Sequence, residues 1–311
     1  MTSGPAGRVL VIKLGAFGDF VLAFPAFAAI RAHHRHAAVT LLTTAPFAEL
    51  ASRAPWFDAV LVDARPSWWD LPGLRRLAAR LRGFDIVYDL QTSARSSRYF
   101  RLAGRPAWSG IARGCRFPHA NTRRDRMHTR ERQREQLESA GIACFPAPEL
   151  GWLTGPPATP LPAHYALLVP GAAPHRPAKR WPAARFGALA QRLAGDGLTP
   201  VIVGGAAEAA SARTIREACP GAIDLTGRTS LVELAAIAGR AVLAVGNDTG
   251  PMHLAAAVGC RCVVLFSAES DPALTAPRGP AGAWPTVLRV PDLADLPTGP
   301  VTEALAGAMV G

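Results

Sequence analysis

Ala241–Gly259 reads AVLAVGNDTGPMHLAAAVG: an apolar run, a polar turn, and an alanine-rich stretch holding one histidine. The run Ala241–Val245 has the continuity of a strand buried on both faces. Gly246-Asn247-Asp248-Thr249-Gly250 breaks it, and Met252–Val258 follows at helical spacing. A strand that turns tightly into a helix is the repeating unit of a parallel α/β sheet, because parallel strands need crossover connections.

The same alternation runs outward in both directions. Upstream, strands are expected at Tyr165–Val169, Pro200–Val203 and Ala222–Leu225, and helices at Ala183–Leu193, Ala206–Ala218 and Leu231–Ala238. Downstream come a strand at Cys262–Phe266 and a last helix over Thr302–Val310. The stretch 144–163 holds six prolines and no period. Proline fixes φ and removes a backbone donor, so this stretch is a connector. Before it a second series appears: strands at Arg8–Lys13, Ala38–Leu42, Ala59–Val62 and Asp85–Leu90, and helices near Asp19–His33, Leu71–Leu81 and His128–Ala140. The expectation is two doubly wound domains, residues 1–155 and 156–311, with ligands at the carboxyl ends of the strands and between the domains.

The 311 residues are 49% hydrophobic and 18% charged, enough apolar surface for two cores and unlike a disordered chain. Five cysteines without CxxC or His/Cys spacing argue against a disulfide framework and a zinc site. The first apolar stretch, Val9–Ile30, contains Lys13, Asp19 and Pro25, which a signal segment or membrane span tolerates poorly, so a cytosolic protein is expected. The net charge of +11 sits almost wholly in the first half, where residues 95–134 carry twelve arginines against Asp125 and Glu131. An anionic acceptor or membrane surface, a nucleic acid, or a solvated face would each account for that.

Three segments carry chemistry. Lys13-Leu14-Gly15-Ala16-Phe17-Gly18-Asp19 leaves a strand and opens a helix, where unpaired N–H groups favour anions. Its glycine spacing is not GxGxxG, which demotes a dinucleotide fingerprint. Asp19 is either a capping carboxylate or a general base for an acceptor hydroxyl, and the two can coincide. In Val169–Pro182, Lys179 and Arg180 precede Trp181-Pro182 at a helix start, where a cation can neutralise a departing diphosphate. In the turn at 246–250, backbone N–H groups and the Thr249 hydroxyl can hold phosphate oxygens, and Asp248 can bind hydroxyls. His253, on an alanine-rich helix, reads more readily as a packed histidine than as a site residue. Gly204-Gly205-Ala206-Ala207-Glu208 is a strand-to-helix loop that sets Glu208 where a nucleoside hydroxyl could meet it.

In this order and spacing, over about residues 8–273, the opening RVLVIKLGAFGD, the central AKRWP, the GGAAE loop and the VGNDTGPMHLAAAVG block resemble glycosyltransferase family 9, the heptosyltransferases of lipopolysaccharide core assembly. The resemblance implies the GT-B fold: two Rossmann-like α/β domains facing a central cleft, the acceptor side first and the nucleotide-sugar donor in the second. It implies metal-independent, inverting transfer from ADP-heptose to a lipopolysaccharide inner-core acceptor, with a nucleotide-sugar co-substrate and no other cofactor. Carried over by position, Asp19 matches the catalytic carboxylate, with Gly18 beside it at the donor, and Lys179 the lysine that meets the donor phosphates. Asp248, Thr249 and Gly250 match the donor turn, His253 the histidine after it, and Glu208 a ribose contact. Gln91, Arg95 and Ser96, beyond Asp89-Leu90, match a strand end on the acceptor side.

The chain departs from the family pattern at Gly15-Ala16, where serines are common, and at Ser267–Pro272, where a Gly-Pro-Thr-Asp-Pro-like ending is usual. Those departures leave open another nucleotide sugar or acceptor. The implied partners are a nucleotide sugar and an anionic glycolipid at the cytosolic face of the inner membrane. A nucleic-acid binder is the rival from another class, but residues 95–134 interleave few aromatics and hold no recognition module, so no nucleic acid is expected. A dinucleotide-dependent oxidoreductase and a non-catalytic donor binder are further alternatives.

Overall fold

The computed structural model describes residues 7–173 and 175–310. The chain divides into two compact units, residues 1–149 and 150–311, and the division falls inside the proline-rich stretch.

The first unit runs β1 (Arg8–Ile12), α1 (Phe17–Val21), α2 (Phe24–His33), β2 (Ala38–Thr43), α3 (Ala45–Arg53), β3 (Ala59–Val62), α4 (Leu71–Leu81), β4 (Ile86–Asp89), α5 (Ala94–Leu102), β5 (Ala107–Gly110), β6 (Phe117–Pro118) and α6 (Thr129–Glu138). Its strands form one six-stranded sheet in the order β3-β2-β1-β4-β5-β6, with every pairing parallel. The central strand RVLVI is buried at four of its five positions, as a strand covered on both faces must be.

The second unit runs β7 (Tyr165–Val169), α7 (Ala183–Gly195), β8 (Thr199–Ile202), α8 (Ala209–Ala218), β9 (Ile223–Asp224), α9 (Leu231–Ala238), β10 (Leu243–Asn247), α10 (Gly250–Ala257), β11 (Cys262–Phe266), α11 (Pro272–Thr275), β12 (Thr286–Arg289) and α12 (Thr298–Val310). Its six strands are also all parallel, in the order β12-β11-β10-β7-β8-β9. Counted within each unit the two orders are the same, and both are the doubly wound order of nucleotide-binding sheets. The expected fold class, α/β with two Rossmann-like sheets, is what the chain forms.

In each sheet the winding reverses between two central strands: β1 and β4 in the first, β7 and β10 in the second. The registers bring their carboxyl ends level, Ile12 beside Asp89 and Val169 beside Gly246. A crevice opens at such a reversal because the following crossovers leave to opposite faces. The loop that leads to Asp19 and those that carry Gln91, Lys179 and Asp248 all leave from these four strand ends.

One expected helix is two. The apolar pattern over Asp19–His33 is interrupted at Leu22-Ala23, and α2 starts with Pro25 in its first turn. A continuous helix would drive the proline ring against the carbonyl four residues back, that of Val21, and remove a hydrogen bond.

The close approach of β10 and β7 depends on a glycine. A Cβ at Gly246 would lie 2.5 Å from Val169 Cβ and 2.8 Å from the Val169 carbonyl oxygen. Both obstacles belong to a buried central strand that has no room to retreat. Gly246→Ala is expected to destabilise the second unit by about 2 kcal/mol, the usual scale of overpacking. Denaturant unfolding should show it as a lower midpoint at unchanged slope; an unchanged midpoint would mean the sheet relaxes freely.

Candidate functional site

In the second unit the site is built around Asp248, one residue past β10. Asn247 ends that strand and ties the neighbouring loop to it. Its Nδ2 donates to the carbonyls of Pro170 at 2.9 Å and Gly171 at 3.3 Å, and its Oδ1 accepts the Trp181 N–H at 3.1 Å. The loop after β7 is thus fixed at its start and at Trp181, whose indole N–H donates to the Leu296 carbonyl at 2.8 Å. Lys179 lies between these fixed points and is buried, with Nζ 2.5 Å from Asp248 Oδ2.

Asp248 gathers three partners. Besides Lys179, Ser270 Oγ donates to Oδ2 at 2.7 Å, and His253 Nε2 lies 3.7 Å from Oδ1. Burial alone would push this carboxyl up; His253 and Lys179 outweigh it and hold the group down at about 2. Asp248 is therefore a buried anion whose charge is answered by the cation expected to meet a diphosphate. His253 is buried on α10 and faces Asp248, so it belongs to the turn's support as well as to the helix packing. Thr249 is extended and its side chain caps nothing, although it precedes the first turn of α10. Its hydroxyl and the N–H groups of that turn, including Gly250, are the donors such a helix start offers an anion.

Glu208 is placed beside the same loops. A Cβ at Gly171 would come within 3.0 Å of the Glu208 carboxyl carbon, and one at Gly204 within 3.1 Å of its Cβ. The glycines at the ends of β7 and β8 let this half-buried carboxylate lie against the backbone. Glu208, Lys179, Asp248, Thr249, Gly250 and His253 therefore all belong to the carboxyl edge of one sheet.

In the first unit the loop after β1 is held at both backbone groups of Leu14. Its N–H donates to Gln91 Oε1 at 2.8 Å; its carbonyl accepts Thr44 Oγ1 at 3.0 Å and the Arg65 guanidinium at 3.1 Å. Gln91 comes from the loop after β4, where Asp89 Oδ1 accepts the N–H groups of Gln91 at 3.1 Å and Thr92 at 3.0 Å. Asp89 is fully buried, and burial pushes its carboxyl up to about 6. Lys13 is buried beside it, with Nζ donating to the Leu90 carbonyl at 3.3 Å. Burial lowers its pKa, opposed by Asp19 and Asp89 and helped by Arg132.

Asp19 sits in the first turn of α1, half-buried, and Ala16 occupies the capping position, so the capping role its position suggested falls to no side chain. Gly18 precedes it and is half-buried. The residues expected at an acceptor divide. Gln91 is half-buried and pins Leu14. Arg95 donates to the Pro66 carbonyl at 3.2 Å and stacks 5.1 Å over Trp68. Ser96 is fully buried, and its hydroxyl closes a capping box with Ser93 at the start of α5, a local structural task.

The arginine-rich segment also divides. Arg132 and Arg124 are near enough to Lys13 and Asp89 to act on their charge, which brings part of the segment to the switch point. Arg134 instead pairs with Glu138 one turn on at 2.9 Å, an exposed contact of little energetic weight. Among the described residues no group of three or more His, Cys, Asp or Glu side chains could hold a metal ion. No described helix is long and apolar enough to cross a membrane.

The family model for glycosyltransferase family 9 (heptosyltransferase) matches residues 145–284, which include Lys179, Glu208 and the whole Asp248 turn. The resemblance read from the sequence holds. Lipooligosaccharide heptosyltransferase 2 of Haemophilus influenzae is 34% identical over 99 residues, which are 30% of this chain and 29% of that protein; the matched stretch thus spans under a third of the relative. Among solved structures, a glycosyl transferase family 9 protein from Veillonella parvula superposes with a TM-score of 0.80 at 22% identity, covering 98% of both chains. E. coli heptosyltransferase WaaC with ADP superposes at 0.79 and 23% identity, over 97% of this chain and 99% of that one. At those identities the structures speak for the fold.

Proposed function

We propose, from the premise that residues 145–284 carry the sequence of glycosyltransferase family 9, that the chain transfers a heptose from ADP-heptose to an anionic glycolipid of the lipopolysaccharide inner core. The observation that carries this reading is the buried Lys179–Asp248 pair beside an N–H-rich helix start, at the switch point of the second sheet. Such a site suits a diphosphate: a preset cation and backbone donors stabilise negative charge without reorganising. Glu208, against the neighbouring loop, meets ribose hydroxyls.

In the mechanism, the acceptor hydroxyl hydrogen-bonds Asp19, which takes its proton as the oxygen bonds to the anomeric carbon. The bond from that carbon to the diphosphate oxygen breaks on the opposite face, so the configuration inverts. Charge growing on the departing ADP is met by Lys179, the Thr249 hydroxyl and the first N–H groups of α10. No metal takes part in this scheme. The enzyme works in the cytosol, where ADP-heptose is the soluble partner and the glycolipid is presented by the inner membrane.

Another nucleotide sugar on the same fold is the second reading. The segment Ser267–Pro272, where the chain departs from the family pattern, sends Ser270 to Asp248 at 2.7 Å, so the departure reaches the donor turn itself. A thermal-shift panel separates the two. At 100 times its dissociation constant a ligand adds about 2.7 kcal/mol to the native state. ADP-heptose and ADP are expected to raise the transition, and GDP, UDP and CDP sugars to leave it in place. A rise with another nucleotide and none with ADP would replace the donor; no rise with any would remove the transferase reading.

A further inference from the structure

We infer that the loop and helix after β3 form a membrane-docking tip for an anionic phospholipid bilayer. Trp69 is 84% exposed and Leu71 60%, and Pro72 beside them is exposed as well. A scattered apolar residue at a surface needs no explanation, but several exposed within four residues do. Arginines flank these residues in the sequence. Arg65, Arg75, Arg76, Arg80 and Arg82 are all exposed. Asp70, the one acidic residue between Arg65 and Arg82, has its carboxylate occupied by the Gly73 N–H at 2.9 Å as the cap of α4.

The tip is held in place. Arg80 donates to the Val62 carbonyl at 3.1 Å, and the guanidinia of Arg95 and Arg98 lie 5.1 and 4.7 Å over the ring of Trp68, next to Trp69. Exposed tryptophan and leucine on an arginine-rich segment match the lipid–water interface: the apolar side chains enter the headgroup level while the cations meet anionic lipid. A nucleic acid would use the arginines and stack on Trp69, but it would leave the exposed Leu71 and Pro72 without an apolar partner.

The location gives the tip a use. It follows β3, so it leaves the carboxyl edge of the first sheet, the edge from which the loop leading to Asp19 also leaves. Arg65 ties the two loops together through the Leu14 carbonyl at 3.1 Å. A bilayer seated on the tip therefore lies on Asp19's side of the unit, where a lipid-borne acceptor emerges. This inference rests on the reading of the first unit as the acceptor side.

Sedimentation of the full chain with vesicles tests it. Binding to phosphatidylcholine vesicles containing phosphatidylglycerol is expected to exceed binding to phosphatidylcholine alone by about tenfold or more and to weaken with salt. Trp69→Ser/Leu71→Ser is expected to lower that binding about tenfold, and Arg75→Gln/Arg76→Gln by a similar factor, with the thermal transition unchanged. Equal binding to both vesicles, or wild-type binding by the serine pair, would overturn the inference. So would a self-association that the serine pair disperses, because the tip would then serve a second copy. Vesicle binding needs no donor. An unmutated chain that turns over a water-soluble acceptor but binds neither vesicle sinks docking alone, while turnover absent with vesicle binding kept sinks the transferase reading alone.

Discussion

Asp19→Asn is expected to lower the turnover number by about 10²–10⁴ and to leave folding and donor affinity nearly unchanged. The size follows from what a positioned base contributes, and the selectivity from where Asp19 sits. Two carboxylates act on buried Lys13, Asp19 and Asp89. Asp89 is fully buried and occupied by the N–H groups of Gln91 and Thr92, so no acceptor hydroxyl can reach it. Asp19 is half-buried in the first turn of α1 and does not cap that helix. Its structural contribution is the favourable charge at a helix start, about 0.3–1 kcal/mol, and a share of the charge facing Lys13, to which Asp89 also contributes; the loop before it is held independently through Leu14. Asparagine keeps the shape and removes the proton acceptor. Single-turnover rates with ADP-heptose, alongside a thermal-shift titration of ADP, check both halves; a rate within a few-fold of wild type would assign the base elsewhere.

Much of this fold was legible because buried parallel strands and amphipathic helices write their periods plainly. Tyr165–Val169 and Leu71–Leu81 fall where their patterns place them. What was not read had little pattern to read. Helix α5, ARSSRYFRL, buries only Ser96, Tyr99 and Phe100, and its other residues look like a polar loop. Strands β5 and β12 have four residues each and β6 has two, too short for alternation to register. Helix α3 carries Phe47, Leu50 and Ala51 at helical spacing, but within nine residues that signal is slight.

The site was legible as positions and illegible as partnerships. Lys179 and Asp248 are each conspicuous, one before Trp-Pro and one in a glycine-bounded turn, yet nothing in a linear spacing of 69 residues says that they pair. Ser270 carried no signal except that its segment departs from the family pattern. Ser96 was legible as a position only: its burial and the capping box it closes with Ser93 belong to the folded helix, since the usual box signature has Glu or Gln at that place. Asp89 was visible as a strand end, but its burial, and hence its work of holding Gln91 and Thr92, belongs to the folded unit.

Lys179→Met is the variant expected to harm both chemistry and stability, and the two losses can be separated. Removing a preset cation from the leaving group should lower turnover by about 10²–10³. Lys179 and Asp248 side chains are 10% and 7% exposed, so the pair is little screened, and the substitution leaves a buried carboxylate with only Ser270 and His253 to answer it. Breaking such a pair from one side destabilises by about 3–5 kcal/mol. The pH dependence follows from Asp248, held at about 2 against its ordinary 3.8. A depressed folded-state value means the native state binds fewer protons between those values. Its contribution is present above 3.8 and is lost as the pH falls through about 2. The gap between wild type and Lys179→Met should therefore be widest near neutrality and close as the solution is acidified below pH 4, because protonation ends the ion pair in the wild type too. Lys179→Met/Asp248→Asn removes the stranded charge, so it should regain most of the neutral-pH stability. It should remain as inactive as the single variant, since the diphosphate still lacks its cation. If activity returned with stability, Lys179 would be a prop for the turn, and the charge on the departing nucleotide would have to be met by the helix start alone.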